Sequence, residues 1–196
     1  MDFSLTRSRM NLFLVSMLFS LMGCSSFNRT TNITNLDSSQ WYQIGEGSWT
    51  INDQIITGSS LEGEAYLMSR NKYDDFLLTL EFKPDSIVNS GIYVRCSDTI
   101  GSAQECHEIN IWDNHPNQAN RTGAIVSKKE PSHILNTIDK WNTYEIRCLG
   151  DSISVMLNGM LVSSYGSSPN VEGFIGLQAA NNGKIEFRNL SIEHLK

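Results

Sequence analysis

What this chain lacks narrows its function before any motif is read. Basic clusters are missing: 15 lysines and arginines face 21 acidic residues, for a net charge of −6, which argues against nucleic acid as a partner. Zinc-type spacing is missing too, since no Cys-x-x-Cys occurs and His107, His115, His133 and His194 are scattered. No apolar run reaches the roughly 20 residues that a membrane-crossing helix needs. From residue 41 onward no window keeps a helical period, which argues against parallel βαβ units. What remains is an acidic, β-patterned chain suited to a neutral ligand such as a sugar.

The first residues read as a targeting segment. Arg7 and Arg9 give it a positive start, and a short apolar stretch, 11–21, runs into Leu21-Met22-Gly23-Cys24. That ending resembles the bacterial lipobox, which implies cleavage before Cys24, a lipid on Cys24, and membrane attachment through that anchor alone. Ser25, where an Asp would retain the protein at the inner membrane, favours the outer membrane of a Gram-negative cell envelope. Residues 1–23 are therefore expected as a signal peptide. Residues 24–40, rich in Ser, Thr and Asn without an apolar period, are expected as a flexible tether. The folded domain is expected at 41–196. Losing 1–23 leaves 173 residues with 13 basic and 20 acidic groups, a charge of −7, and that length can bury one good core.

Export makes a disulfide possible. Cys96 and Cys106 close a short loop between two expected strands and form the pair to expect, while Cys148 alternates with Tyr144 and Ile146 as a buried thiol.

Strand signals follow one another at even spacing. A hairpin is expected over 49–57 with its turn at Asn52-Asp53. In 76–82, Phe76, Leu78, Leu80 and Phe82 share one face. In 90–96, Ile92 and Val94 point inward and Tyr93 and Arg95 point the other way. Further strands are expected at 65–69, 123–127, 141–148, 152–157, 160–164, 174–179 and 184–193, with 128–140 as a loop. Asn158-Gly159 is a type I′ turn signal. Such spacing indicates an all-β sandwich or jelly roll.

The most informative strand covers 105–113. Ile109 and Ile111 would face a core, and Glu108, Asn110 and Trp112 would present a carboxylate, an amide and a ring on the opposite side. Acids and amides suit sugar hydroxyls, and a ring suits a pyranose face.

Several phrases together carry a resemblance. They are Asn89-Ser90-Gly91-Ile92-Tyr93-Val94-Arg95, Glu108-x-Asn110-x-x-Asp113, Thr122-Gly123-Ala124-Ile125, Trp141-Asn142-x-Tyr144-x-Ile146, Leu157-Asn158-Gly159, Gly173-Phe174-Ile175-Gly176-Leu177-Gln178 and Phe187-Arg188-Asn189-Leu190-x-Ile192. In order and spacing the chain resembles the 3-keto-disaccharide hydrolase-like domain, a family with the concanavalin A-like (laminin G-like) jelly-roll β-sandwich fold. It departs from the family at Asn110, where Gln is usual, and at His107, where an aromatic is usual. The same strand can be set against retaining glycosidases with Glu-x-Asp-x-x-Glu. Asn110 and the shorter Asp113 weaken that comparison, because retention needs two carboxyl groups about 5–5.5 Å apart.

The resemblance implies cleavage of a sugar already oxidised to a ketone at C3. A base removes the acidified C2 proton and the enolate expels the C1 substituent. On this reading Glu108 is the base, with His107 and Asp113 as alternatives, and Arg95 stabilises the enolate. Asn110 and Gln178 orient hydroxyls, Trp112 stacks on a ring, and Tyr93 and Glu81 complete the substrate contacts. Glu81, Glu108 and Asp113 could instead hold a divalent cation such as Ca²⁺ or Mn²⁺. Arg95 could equally be one half of a cross-strand ion pair with Glu81 or Glu108. Trp41, Trp49 and Trp141 are expected in packing roles. The rival from another class is a carbohydrate-binding lipoprotein without catalysis.

Overall fold

The structure, a computed structural model, describes residues 1, 30–33, 40–97, 106–166 and 172–195. Two antiparallel sheets face each other. The larger contains, in spatial order, β11 (Met160–Tyr165), β10 (Ser152–Leu157), β9 (Asn142–Leu149), β6 (Phe76–Pro84), β13 (Lys184–His194), β4 (Ile55–Ser59) and β3 (Ser48–Asn52), with β1 (Thr30–Ile33) also on β13. The smaller runs β2 (Trp41–Gly45), β5 (Glu64–Ser69), β12 (Phe174–Ala180), β7 (Asn89–Cys96) and β8 (His107–Ile111). The chain changes sheet after β1, β2, β4, β5, β6, β8, β11 and β12, so most pairing is between segments distant in sequence. This is the expected all-β jelly-roll sandwich.

The core follows from strand alternation. Phe76, Leu78, Leu80 and Phe82 on β6 are fully buried and alternate with half-buried neighbours. They pack beside Tyr144, Ile146 and Cys148 of β9, against Ile92, Val94, Ile109, Ile111, Ile175 and Leu177 from the small sheet. Each such side chain contributes about 1.5–3 kcal/mol by leaving water, and a one-residue slip would turn the whole set outward.

Local chemistry sets the turns. Asn158 and Gly159 both have positive φ, 52° and 78°, as a type I′ turn requires. In the first hairpin the positive-φ pair is Asp53-Gln54, one residue later than expected. The segment 123–127 is not a strand. Ile125 makes only single bridges to Ile109 and Lys129, and this loop instead satisfies the outer edge of β8. Asn110 N–H donates to Ala124 O, Gly123 N–H to Asn110 O, and Val126 N–H to Glu108 O, at 2.9–3.0 Å. The loop thereby protects an edge strand from further pairing.

The disulfide joins Cys96 and Cys106, and Cys148 is free and buried. Burial pushes the Cys148 thiol up to about 12. β1 lies inside the stretch expected as a tether and pairs Thr30–Ile33 with residues 190–193 of β13. Residues 2–23 and Cys24 lie outside the described residues. Among the described residues no helix is long and apolar enough to cross a membrane.

Candidate active site

The small sheet carries a second, smaller cluster on the face turned away from the core. It contains Tyr66, Met68, Tyr93, Cys96 and Cys106, with Tyr42, Ile44 and Phe174 packed against it. Strand register builds a polar row there. Tyr66 pairs with Gln178, Gln178 with Gly91, and Gly91 with Asn110, while Gly176 pairs with Tyr93 and Tyr93 with Glu108. Side chains of one parity share a face, so Glu64, Tyr66, Gln178, Tyr93 and Glu108 all stand on this one.

Gly91 explains how the row closes. A Cβ at Gly91 would lie 2.8 Å from Glu108 Oε1, so the missing side chain is the slot into which the carboxylate leans. Asn89, Ser90 and Gly91 all lie within β7. Gln178 sits at the centre, 2 % exposed. Its Nε2 donates toward Tyr93 OH at 3.2 Å and toward Tyr66 OH and Glu64 Oε1 at 3.4 Å. Tyr66 OH donates to Glu64, and Tyr93 OH to Glu108. Gln178 Oε1 is buried without a partner.

The electrostatics follow from this burial. Desolvation pushes the Glu108 carboxyl up to about 7; the Tyr93 hydrogen bond pulls it back, and the charge of Glu64 adds to the rise. Burial, together with the neighbouring carboxylate, lifts both phenols, Tyr66 and Tyr93, well above the ordinary range. They remain proton donors throughout the working pH range. The site thus joins a carboxyl raised toward neutrality to two neutral phenols.

Of the expected residues, Glu108, Tyr93 and Gln178 meet here. The others do not. Arg95 was expected beside Tyr93, but the register shift between Phe174 and Gly176 places two β7 residues, Val94 and Arg95, opposite Ile175. That is a bulge, with Arg95 at φ 54°. It sends the fully buried guanidinium inward, 3.7 Å from Asp75 and next to Cys148. Arg95 is an interior ion-pair partner. Asp113 accepts from Thr137 N–H at 2.6 Å and Thr137 Oγ1 at 2.8 Å and lies 3.8 Å from Arg121, so it pins the 128–140 loop. Neither it nor the glycosidase-type acid pair belongs to the row.

Asn110 shares the face but spends its Nδ2 on Asn120 O. Trp112 lies beyond the end of β8, its ring 4.6 Å from that of His115. Glu81 belongs to the large sheet, where it accepts from Arg188 and Asn189 at 2.6–2.8 Å. The ion pair expected between Arg95 and Glu81 or Glu108 does not form: Glu81 pairs with Arg188 and Arg95 with Asp75. His107 points inward as alternation requires, its ring 5.7 Å from Tyr165, and burial lowers its pKa. Trp41 and Trp49 are core residues, and Trp141 carries Arg188 stacked 4.0 Å above its ring.

Glu81, Glu108 and Asp113 thus occupy three separate places and cannot share a cation. Among the described residues no group of three or more His, Cys, Asp or Glu side chains has metal-holding geometry. Glu64 and Tyr66 went unread in the sequence. Their signal was the alternation Glu64-Ala65-Tyr66-Leu67-Met68, a strand expected to begin only at Ala65.

The sequence profile of the 3-keto-alpha-glucoside-1,2-lyase-like domain matches residues 27–193. The chain belongs to this family. No curated protein matches it by sequence. Among solved structures it is similar to a Parabacteroides distasonis protein provisionally assigned as a glycosyl hydrolase, with TM-score 0.74 and 24 % identity over 86 % of this chain and 100 % of that one. A carbohydrate-binding module from Bacillus subtilis superposes with TM-score 0.62 and 18 % identity, over 79 % and 95 %. A Bacillus licheniformis β-glucanase does so at 0.60 and 12 %, over 86 % and 98 %. At these identities the likeness establishes the concanavalin A-like sandwich, and a fold hosts many activities. The family makes the domain carbohydrate-active, and the polar row is where its described residues offer acid–base chemistry.

Proposed function

We propose that the protein cleaves 3-keto-glycosides by proton abstraction and β-elimination, with Glu108 as the base. The observation that carries this reading is the Glu108 carboxylate itself, held in the Gly91 slot, hydrogen-bonded by Tyr93 and raised to about 7. A base of that strength works near neutral pH without being protonated out of action.

Glu108 takes the proton from C2, and the electron pair of that C–H bond moves into an enolate at the C3 oxygen. Neutralising Glu108 removes the charge that held the Tyr93 hydroxyl, which turns to donate to the developing enolate oxygen. The enolate then collapses to the C3 ketone, a C1=C2 double bond forms, the C1–O bond breaks, and the departing oxygen takes the proton that Glu108 carries, which returns the carboxylate. Water added across the double bond would make the net result hydrolysis. Gln178, donating to Tyr93 and Tyr66, holds both phenols in place.

Incubating a 3-keto-glucoside with wild type and Glu108→Gln tests this. Wild type should release the aglycone with kcat/KM rising with pH through about 7, and Glu108→Gln should bind without turnover. A wild type that binds the sugar and leaves it intact, with or without divalent cations, establishes the non-catalytic carbohydrate-binding reading instead. We further infer export with a lipid on Cys24 at the outer membrane; Cys24→Ala should then move the protein from the membrane fraction to the soluble one.

A further inference from the structure

The face that holds Glu108 is unevenly charged. Register sets Tyr42 of β2, Met68 of β5, Gly176 of β12, Tyr93 of β7 and Glu108 of β8 in one row across all five strands. Along β5 the same parity carries Glu64 at the start of the strand and Arg70 just past its end, roughly 20 Å apart at the usual rise. Arg70 N–H donates to Gln40 O at 2.7 Å, so the ladder with β2 runs on to that point. Glu64, with Glu62 lining the same cavity, makes one end of the face acidic.

The other end is basic, in a chain whose net charge is −6. The Arg70 guanidinium lies over the Tyr42 ring and the Lys72 ammonium over the Phe174 ring, each 5.1 Å from the centroid. A bridge between Tyr73 and Gly173 brings Lys72 alongside Phe174. Tyr42 and Phe174 are half-buried members of the outward cluster, and both cations are exposed. A cation held on a ring face has less freedom to lose when an anion arrives. The five strands themselves contain a single cation, Arg95, and it is turned into the interior.

Phe174 stands two residues along β12 from Gly176, which pairs with Tyr93, which pairs with Glu108. Two strand gaps and two residues separate the base from the Lys72 ring, roughly 12 Å between backbones. A Cβ at Gly176 would collide with Met68 Sδ, so the ground between them is a bare glycine with a thioether drawn against it. That span is longer than one sugar ring, which puts an anion reaching the cations on the substituent at C1.

We infer that Arg70 and Lys72, carried on the Tyr42 and Phe174 rings, form a subsite for a carboxylate on the leaving group. The substrates it selects are 3-keto-glycosides of a phenol or alcohol that bears an acid, laid with the acid toward Arg70 and Lys72 and away from Glu64. This rests on the proposed chemistry at Glu108, which places C1 and its substituent beside C2.

The test is calorimetry on Glu108→Gln protein, where turnover does not interfere, with 4-carboxyphenyl 3-keto-glucoside and its neutral 4-carbamoylphenyl analogue of the same shape. The acid should bind about fivefold more tightly at about 20 mM salt, and the preference should fall toward one at about 0.5 M. Arg70→Gln with Lys72→Gln should abolish it. Lys128→Gln with Lys129→Gln, the same charge change in the loop beyond β8, should leave it intact. Methyl 3-keto-glucuronide should show no comparable gain over methyl 3-keto-glucoside. A preference near one, one that survives the Arg70 and Lys72 changes or is lost equally in both pairs, or an equal gain from the glucuronide overturns the subsite. The ratio is readable even if wild type turns over neither glycoside, which sinks the elimination chemistry alone. Wild-type turnover without the acid preference sinks the subsite alone, and failure of both glycosides to bind overturns both.

Discussion

Replacing Glu108 by Gln should make the protein more stable at alkaline pH while ending its activity. The carboxyl rises from the ordinary 4.5 to about 7 because burial disfavours its charged form. Each tenfold change in proton affinity is worth about 1.4 kcal/mol, so the ionised form costs the fold roughly 2–3 kcal/mol once partial exposure is allowed for. The direction follows from a folded value lying above the unfolded one. The stability associated with protonated Glu108 is fully present below the unfolded value and is lost as pH rises through about 7. Gln has no charge to lose, and its amide oxygen can still accept from Tyr93. Urea denaturation followed by tryptophan fluorescence should therefore give nearly equal midpoints for the two proteins near pH 4.5. By about pH 8.5 the variant should lead by about 1 M, taking an m-value of about 2 kcal/mol/M. A gap that is constant with pH, or that favours wild type at high pH, would refute the claim that Glu108 is a desolvated base.

Gly91→Ala places a Cβ 2.8 Å from Glu108 Oε1; the carboxylate must swing out of its slot, so kcat should fall about tenfold or more while stability changes by less than about 1 kcal/mol. Asp75→Asn strips the fully buried Arg95 of its 3.7 Å counter-ion and should cost about 2–3 kcal/mol in urea melts. Arg95→Met should cost less than that, and the folded protein should keep its kcat because the guanidinium faces the interior. Converting Cys96 and Cys106 to Ala removes a link across a sequence separation of 10. By the chain-entropy account this should lower stability by about 2.5–3 kcal/mol, read as a lower melting temperature that reducing agent reproduces in wild type only.

Much of the sandwich was legible because strand alternation is a local property. Phe76 to Phe82, Ile92 with Val94, and Ile109 with Ile111 each announce an inward face within a few residues, and Asn158-Gly159 announces its turn. The Cys96–Cys106 pair was legible for the same reason, since both residues flank one short loop. The expected strand at 123–127 failed because its apolar residues pack without a partner strand, their backbone instead sealing the β8 edge.

At the site, Glu108, Tyr93 and Gln178 could be named from alternation and from the family motifs. Arg95 could not be placed, because a bulge at positive φ reverses parity and depends on the register against Phe174 and Gly176 in a strand about 80 residues later. Asp113 and Glu81 carry the same carboxyl as Glu108, yet one ties a loop and the other pairs with Arg188. Side-chain type and spacing therefore determined which strands exist, which face of each is apolar and which polar groups were available. Which of those groups meet was decided by the pairing of β5, β12, β7 and β8, whose register is set by burial across the whole sandwich. The same packing raised Glu108, by withdrawing it from water against Gly91 and Tyr93 of the neighbouring strand β7.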